Sequence, residues 1–193
     1  GNGGNDNLAG GGGDDLVDGG TGKDTLSGDA GNDSLYGGND NDVVYGGADN
    51  DLLDGGDGND SLDGGTGNDT LVADAGTDTL YGGDGSDTMY GGADADIVDG
   101  GLGDDTLLGS GGVDSLYGGD GADSIDGGTE TDRLVFTATA AITVNIGLTT
   151  AQVTGEGTDT ITNIENVTTG SGNDKVTGSS LANIITTQNG NDS

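Results

Sequence analysis

The 193-residue chain contains no cysteine, proline, histidine or tryptophan, and only one phenylalanine and one methionine. Without cysteine or histidine it can build neither a disulfide framework nor a zinc site, and the usual nucleophile and base pairings of hydrolases are missing. Positive charge is nearly absent as well, since three Lys or Arg stand against 36 Asp or Glu, for a formal net charge of -33. Such a polyanion repels phosphate, which excludes nucleic acid as a partner. No apolar run reaches membrane length, so membrane insertion is not expected, and no secretion signal stands out at either end. Hydrophobic residues make up only 28% of the chain. Low hydrophobicity with high charge is the profile of a disordered segment.

What the chain does have is 46 glycines and a strict period. Fifteen nonapeptides follow one another without a gap from Gly1 to Val135. Gly19 to Ser27 (GGTGKDTLS), Gly55 to Asp63 (GGDGNDSLD) and Gly64 to Val72 (GGTGNDTLV) show the phase, with glycine at the first, second and fourth places. The sixth place is always aspartate: Asp6, Asp15, Asp24, Asp33, Asp42, Asp51, Asp60, Asp69, Asp78, Asp87, Asp96, Asp105, Asp114, Asp123 and Asp132. The eighth is always apolar: Leu8, Val17, Leu26, Leu35, Val44, Leu53, Leu62, Leu71, Leu80, Met89, Val98, Leu107, Leu116, Ile125 and Leu134.

These two rows pose a physical problem. One core side chain per nonapeptide buries too little surface to offset the entropy of ordering a glycine-rich backbone, and the net charge adds self-repulsion. A cation must supply the missing free energy. Calcium takes about six to eight oxygen ligands, drawn from carboxylates and backbone carbonyls together, and glycine turns free carbonyls to point inward. Magnesium demands stricter octahedral geometry and keeps its waters, while zinc prefers nitrogen and sulfur. Calcium is therefore the expected cofactor, in several copies, with the fifteen sixth-place aspartates as its side-chain ligands.

The first six residues of each nonapeptide read as a turn and the last three, such as Thr25, Leu26 and Ser27, as a short strand whose middle side chain faces inward. Two nonapeptides then make one turn of a flattened right-handed coil, so that equivalent residues stack at the spacing of neighbouring strands, about 4.8 Å. Asp24 falls over Asp42 on one edge and Asp33 over Asp51 on the other, and an ion between consecutive turns bridges alternate nonapeptides. Local departures are few. Asp40, Asp49, Asp94 and Glu130 replace the fourth-place glycine, and Asn2, Asp29, Asp74 and Ser110 the second. Asp and Asn tolerate left-handed backbone, so these turns are expected to persist. Glu130 fits less well, and with Arg133 beside it the stack is expected to fray in the last nonapeptide.

The pattern GGxGxDxUx, with U a large aliphatic residue, resembles the repeats-in-toxin (RTX) calcium-binding nonapeptide family over all of Gly1 to Val135. The resemblance implies an all-β protein, a parallel β-roll with calcium held by the sixth-place aspartates and by turn carbonyls. It further implies bacterial type I secretion to the outside or the cell surface, and a chain that stays unfolded in calcium-poor cytoplasm. Metal binding and folding would be one event.

After Val135 the period breaks. Phe136 to Val153 (FTATAAITVNIGLTTAQV) loses most glycine and aspartate, and Ile142, Val144 and Ile146 alternate with polar residues as in a half-buried strand. A repeat-like piece returns at Thr154 to Thr162 (TGEGTDTIT), followed by NIENVT at Asn163 to Thr168. The stretch 136–168 reads as a β-rich extension of the same solenoid. From Thr169 the nine-residue phase resumes with Asp174 and Val176, then Asn183 and Ile185, giving degenerate repeats over 169–193 that stop partway through a unit. Both ends fall inside repeat territory, which suggests a piece of a longer polypeptide.

Function follows two lines. The aspartates form an even lattice with no unique pair, so catalysis within the chain is not expected. Gly28 to Val72 is echoed by Ala73 to Val135 with two nonapeptides added. Such free extensibility favours a rigid extracellular segment, the stalk or wall of a surface layer, fibre or adhesin, whose open ends allow self-association. The alternative is the calcium-dependent folding and secretion module of a secreted enzyme or toxin whose catalytic domain lies elsewhere. Tyr36, Tyr45, Tyr81, Tyr90 and Tyr117 all hold the ninth place, outward, but alternate with aspartate along one stack and so form no continuous aromatic face.

Overall fold

Nonapeptides that carry one inward aliphatic residue and a glycine turn can bury it only by stacking, and the computed structural model, which covers residues 1–193, is built from strands with no helix. Strands taken alternately along the chain fall into two sheets. One, of ten strands, starts with β1 (Asn7–Gly12), β3 (Thr25–Ala30) and β5 (Val43–Ala48). The other, of nine, includes β2 (Leu16–Thr21), β4 (Ser34–Asn39) and β6 (Leu52–Asp57). Through the nonapeptides, neighbours in each sheet are parallel and in register two nonapeptides apart, with Leu26 opposite Val44 and Leu35 opposite Leu53. The fold is a β-solenoid with two nonapeptides per turn.

Strands are twice as long as the sequence pattern predicts. β3 runs through Thr25, Leu26 and Ser27 into Gly28, Asp29 and Ala30 of the following repeat. The ladder within it skips one position: Ser27 pairs with Tyr45 and Asp29 with Gly47, whereas Gly28 and Gly46 do not pair. The reason lies in the stacking, because an identical backbone one turn away offers hydrogen bonds wherever the path is extended, whatever the side chains. The turn proper contracts to the fourth to sixth places.

The eighth-place residues form two facing columns, one from each sheet. From Leu26 to Leu134 each is buried to within 1%. Leu8 and Val17 pack against the same cluster only partly, because they lie in the outermost turn, covered on one side alone.

All the substituted turns but the first keep their shape; Asn2, in the terminal nonapeptide, is not at positive φ. Asp29, Asp40, Asp49, Asp74, Asp94, Ser110 and Glu130 all have φ between 67° and 77°, the left-handed region that the replaced glycines would adopt. Glu130 does not fray the coil. Its carboxylate accepts the Gly112 N–H at 3.1 Å, and the Asp132 carboxylate still accepts the Asp114 N–H at 2.9 Å. The side chain offsets its own backbone strain by capping an amide of the turn before it.

Beyond Val135 the solenoid continues, but not in chain order. β18 (Thr158–Thr162) stacks directly on β14 (Ser124–Asp126), with Ile161 opposite Ile125. β16 (Thr143–Asn145), although earlier in sequence, pairs with β20 (Lys175–Thr177). The chain therefore leaps ahead, returns through β17 (Gln152–Val153), which runs antiparallel to β18, and fills the turn it passed over. On the ten-stranded sheet Leu134, Val167 and Ile185 follow without interruption. Phe136, Ile142, Val144, Ile146, Ile161, Ile164 and Val167 extend the same core, as the alternation in Phe136 to Val153 predicts.

Candidate metal sites

The register brings the sixth-place aspartates together in two rows, one at each edge of the coil. Asp6, Asp24, Asp42, Asp60, Asp78, Asp96, Asp114 and Asp132 form one row, and Asp15, Asp33, Asp51, Asp69, Asp87, Asp105 and Asp123 the other. Within a row each aspartate is tied to the next by its own backbone. The Asp24 N–H donates to Oδ1 of Asp42 at 2.7 Å, Asp42 to Asp60 at 2.8 Å, and on the other edge Asp51 to Asp69 at 2.8 Å. This bond locks the carboxylate against the turn below, and from Asp24 to Asp132 every sixth-place side chain is at most 4% exposed.

One oxygen of each is left over. In every nonapeptide aspartate except Asp6, Oδ2 is buried with no hydrogen-bond partner. Burying an anionic oxygen without a donor is costly, and a whole row of them is more so. Burial pushes the Asp60, Asp69, Asp78, Asp123 and Asp132 carboxyls up to about 6 and those of Asp96 and Asp105 up to about 7, with neighbouring carboxylates pushing further the same way and the amide bond pulling back. Without a counter-charge, burial favours the protonated form of these seven carboxyls.

The space beside each orphan oxygen is set by the first-place glycine. A Cβ placed on Gly37 would lie 2.6 Å from Oδ2 of Asp42 and 2.7 Å from the Gly55 carbonyl of the next turn. On Gly46 it would lie 2.6 Å from Oδ2 of Asp51 and 2.6 Å from the Gly64 carbonyl. Carboxylate and carbonyl oxygens from successive turns therefore converge on a cradle free of side chain. No three carboxylates meet at one point, so any ion here depends on one aspartate per turn and on backbone carbonyls. That all-oxygen donor set fits calcium and suits neither zinc nor copper.

Ala73 is the one first-place residue of the block that is not glycine, and its carbonyl stands back to 3.2 Å from the corresponding point at Gly55. The part played by the first place escapes sequence reasoning, where glycine reads as a turn former. Tyr45 and Tyr81 are about half exposed and flank Asp63, as the alternation of the ninth place predicts.

Comparison with protein-family models gives one match. A model of the RTX calcium-binding nonapeptide repeat, four copies long, matches residues 1–35, 36–71, 63–98, 72–107, 99–134 and 164–193. A search of curated proteins returns no match. The segments leave out mainly the leap-and-return region of the extension, where the nine-residue phase is lost. Since they cover most of its length, the chain belongs to the RTX calcium-binding nonapeptide repeat family and folds as a β-roll of that family.

Proposed function

We propose that the fifteen sixth-place aspartates hold calcium in a row along each edge of the coil, so that ion binding and folding are one event. The observation that carries this reading is the unpartnered, buried Oδ2 repeated in step through the nonapeptides. A dication in each cradle would neutralise an oxygen of one turn and a carbonyl of the next, stitching turns together where the hydrophobic columns alone are thin. The aspartates supply charge and the glycines supply room; the ion supplies the free energy that the composition lacks.

RTX proteins are in general secreted by bacteria, and we infer the same route for this chain. It would remain an expanded polyanion where calcium is scarce and fold outside the cell, where calcium is abundant. Its work there is that of a rigid extracellular segment, the stalk or wall of a surface layer, fibre or adhesin. What favours this over a folding module carried behind a secreted enzyme is the unbroken register from Asn7 to Leu134 and the duplicated block within it, which lengthen a rod. Circular dichroism during a calcium titration, with magnesium as control and the hydrodynamic radius followed alongside, tests the core of the proposal. A cooperative passage from expanded coil to compact β-structure with calcium alone is expected. A chain already folded in chelator would overturn it.

A further inference from the structure

Two sixth-place carboxylates of the extension break the pattern. Asp159 and Asp174 are as buried as those of the nonapeptides, at 2% and 1% exposure, yet neither has an unpartnered oxygen. The Thr154 hydroxyl donates to Oδ2 of Asp159, and the Thr169 hydroxyl donates to Oδ2 of Asp174 at 2.5 Å. The other oxygens behave as in the nonapeptides, Oδ1 of Asp159 accepting the Asp123 N–H at 3.2 Å and Oδ1 of Asp174 the Ile142 N–H at 2.9 Å.

Each threonine precedes its aspartate by five residues, in the units Thr154 to Thr162 (TGEGTDTIT) and Thr169 to Thr177 (TGSGNDKVT). Five residues before the aspartate is the first place, which is glycine in every nonapeptide but the one that starts at Ala73. Thr154 and Thr169 are both fully buried, so their side chains fill the cradle that glycine leaves open. Thr187 precedes Asp192 at the same spacing in the last turn, where Asp192 is exposed and the hydroxyl makes no such bond. Backbone conformation does not explain the choice of residue, because first-place glycines such as Gly37 and Gly64 are not at positive φ. Space and chemistry do. A hydroxyl donates one hydrogen bond to a buried anionic oxygen and thereby meets its need without a cation, while its bulk takes the room that the cation would use.

We propose that the first-place residue decides whether a sixth-place carboxylate takes a calcium ion, and that Thr154 and Thr169 close the sites at Asp159 and Asp174 by putting a hydroxyl where glycine leaves a cradle. The inference rests on the reading that the nonapeptide aspartates hold calcium. It makes the extension a stretch of the same solenoid whose carboxylates are satisfied internally, so that the ion rows end with Asp123 and Asp132.

Calcium stoichiometry of the full chain, measured by equilibrium dialysis with radioactive calcium and paired with circular dichroism, tests this. Gly64→Thr should bind fewer ions than the unaltered chain while keeping its β-structure in saturating calcium, since the new hydroxyl takes over Oδ2 of Asp69. Thr169→Gly should bind one ion more, whereas Thr169→Val, which removes the donor but keeps the bulk, should bind no more than the unaltered chain and unfold more readily. Unchanged stoichiometry in folded Gly64→Thr would overturn the proposal, and so would a gain of an ion in Thr169→Val. A Cβ on Gly64 would lie 2.7 Å from the Gly82 carbonyl, so should Gly64→Thr fail to fold, the two Thr169 variants decide; should Thr169→Gly fail to fold, Gly64→Thr and Thr169→Val decide. Asp69→Asn separates the two levels: if it binds as many ions as the unaltered chain, the calcium reading itself fails and not merely the role of the first place.

Discussion

The nonapeptide coil and the extension that follows it share one hydrophobic column and one register, but they satisfy their buried carboxylates differently. In the coil Asp69 has an oxygen with no donor; in the extension Asp174 has the same oxygen hydrogen-bonded to Thr169. The difference teaches that one register accommodates a buried carboxylate with a donor at Oδ2 and one without. On the proposed reading a cation meets the coil's carboxylate oxygen, which would make folding there responsive to the medium, whereas the hydroxyl in the extension meets it in any medium.

Removing calcium should divide the two regions most strongly. Hydrogen exchange followed in chelator is expected to show amides of β3 to β13 (Ser115–Asp120) unprotected, with more protection kept in Thr158–Thr162 and Lys175–Thr177. Uniform loss across both regions would erase the contrast. Next in size is the column itself. Leu71→Ala, at a fully buried position, should cost about 2 to 5 kcal/mol in denaturant titration under saturating calcium, whereas Ile184→Ala, at 68% exposure in the extension, should change stability little.

The carboxylates sharpen the comparison further. Asp69→Asn should move the calcium midpoint of folding upward, because one ligand loses its charge; Asp174→Asn should leave that midpoint in place and lower thermal stability instead. A shifted midpoint in Asp174→Asn would mean that the extension binds ions too. Acidity gives a smaller effect with a definite sign. The folded-state carboxyls of Asp60, Asp69, Asp96 and Asp105 lie at about 6 to 7, above the ordinary value of 3.8, so between those limits the folded metal-free chain binds more protons than the unfolded one. Acidifying chelated protein from neutral pH towards 4 should therefore increase β-structure, and raising the pH again should lose it. In calcium the same protons compete with the ion, so the midpoint should rise on acidification. The smallest change is expected from Tyr45→Ser, within about 0.5 kcal/mol, because the ring stands half exposed between Ser27 and Asp63 on the outer face.

Much of the fold was legible beforehand, and for a reason particular to repeats. A period of nine with one aliphatic and one aspartate per unit admits few ways to bury the first and align the second, so the two-per-turn register, the facing columns and the paired edges all follow from counting. The turn aspartates were legible too, because left-handed backbone is a local property of Asp29 or Asp40. The length of the strands was not, since β3 owes its second half to hydrogen bonds with a backbone one turn away. Nor was the tolerance of Glu130, whose carboxylate finds its partner at Gly112 in the neighbouring turn. The leap and return between Phe136 and Thr162 was legible only as a break in period. Which strand fills which turn depends on pairings such as Ile125 with Ile161, and sequence order points the wrong way there.

By itself the sequence determined the low-hydrophobicity, strongly acidic composition, the phase that aligns every aspartate and every core residue, and the oxygen-only character of the donors, because all three are set by residue type and spacing. Only the tertiary structure decided which carboxylate oxygens are left without a donor. A glycine and a threonine five residues before an aspartate look like two ways of starting a turn, and they become an open cradle and a closed one only when stacking removes water and leaves each oxygen to its immediate neighbours.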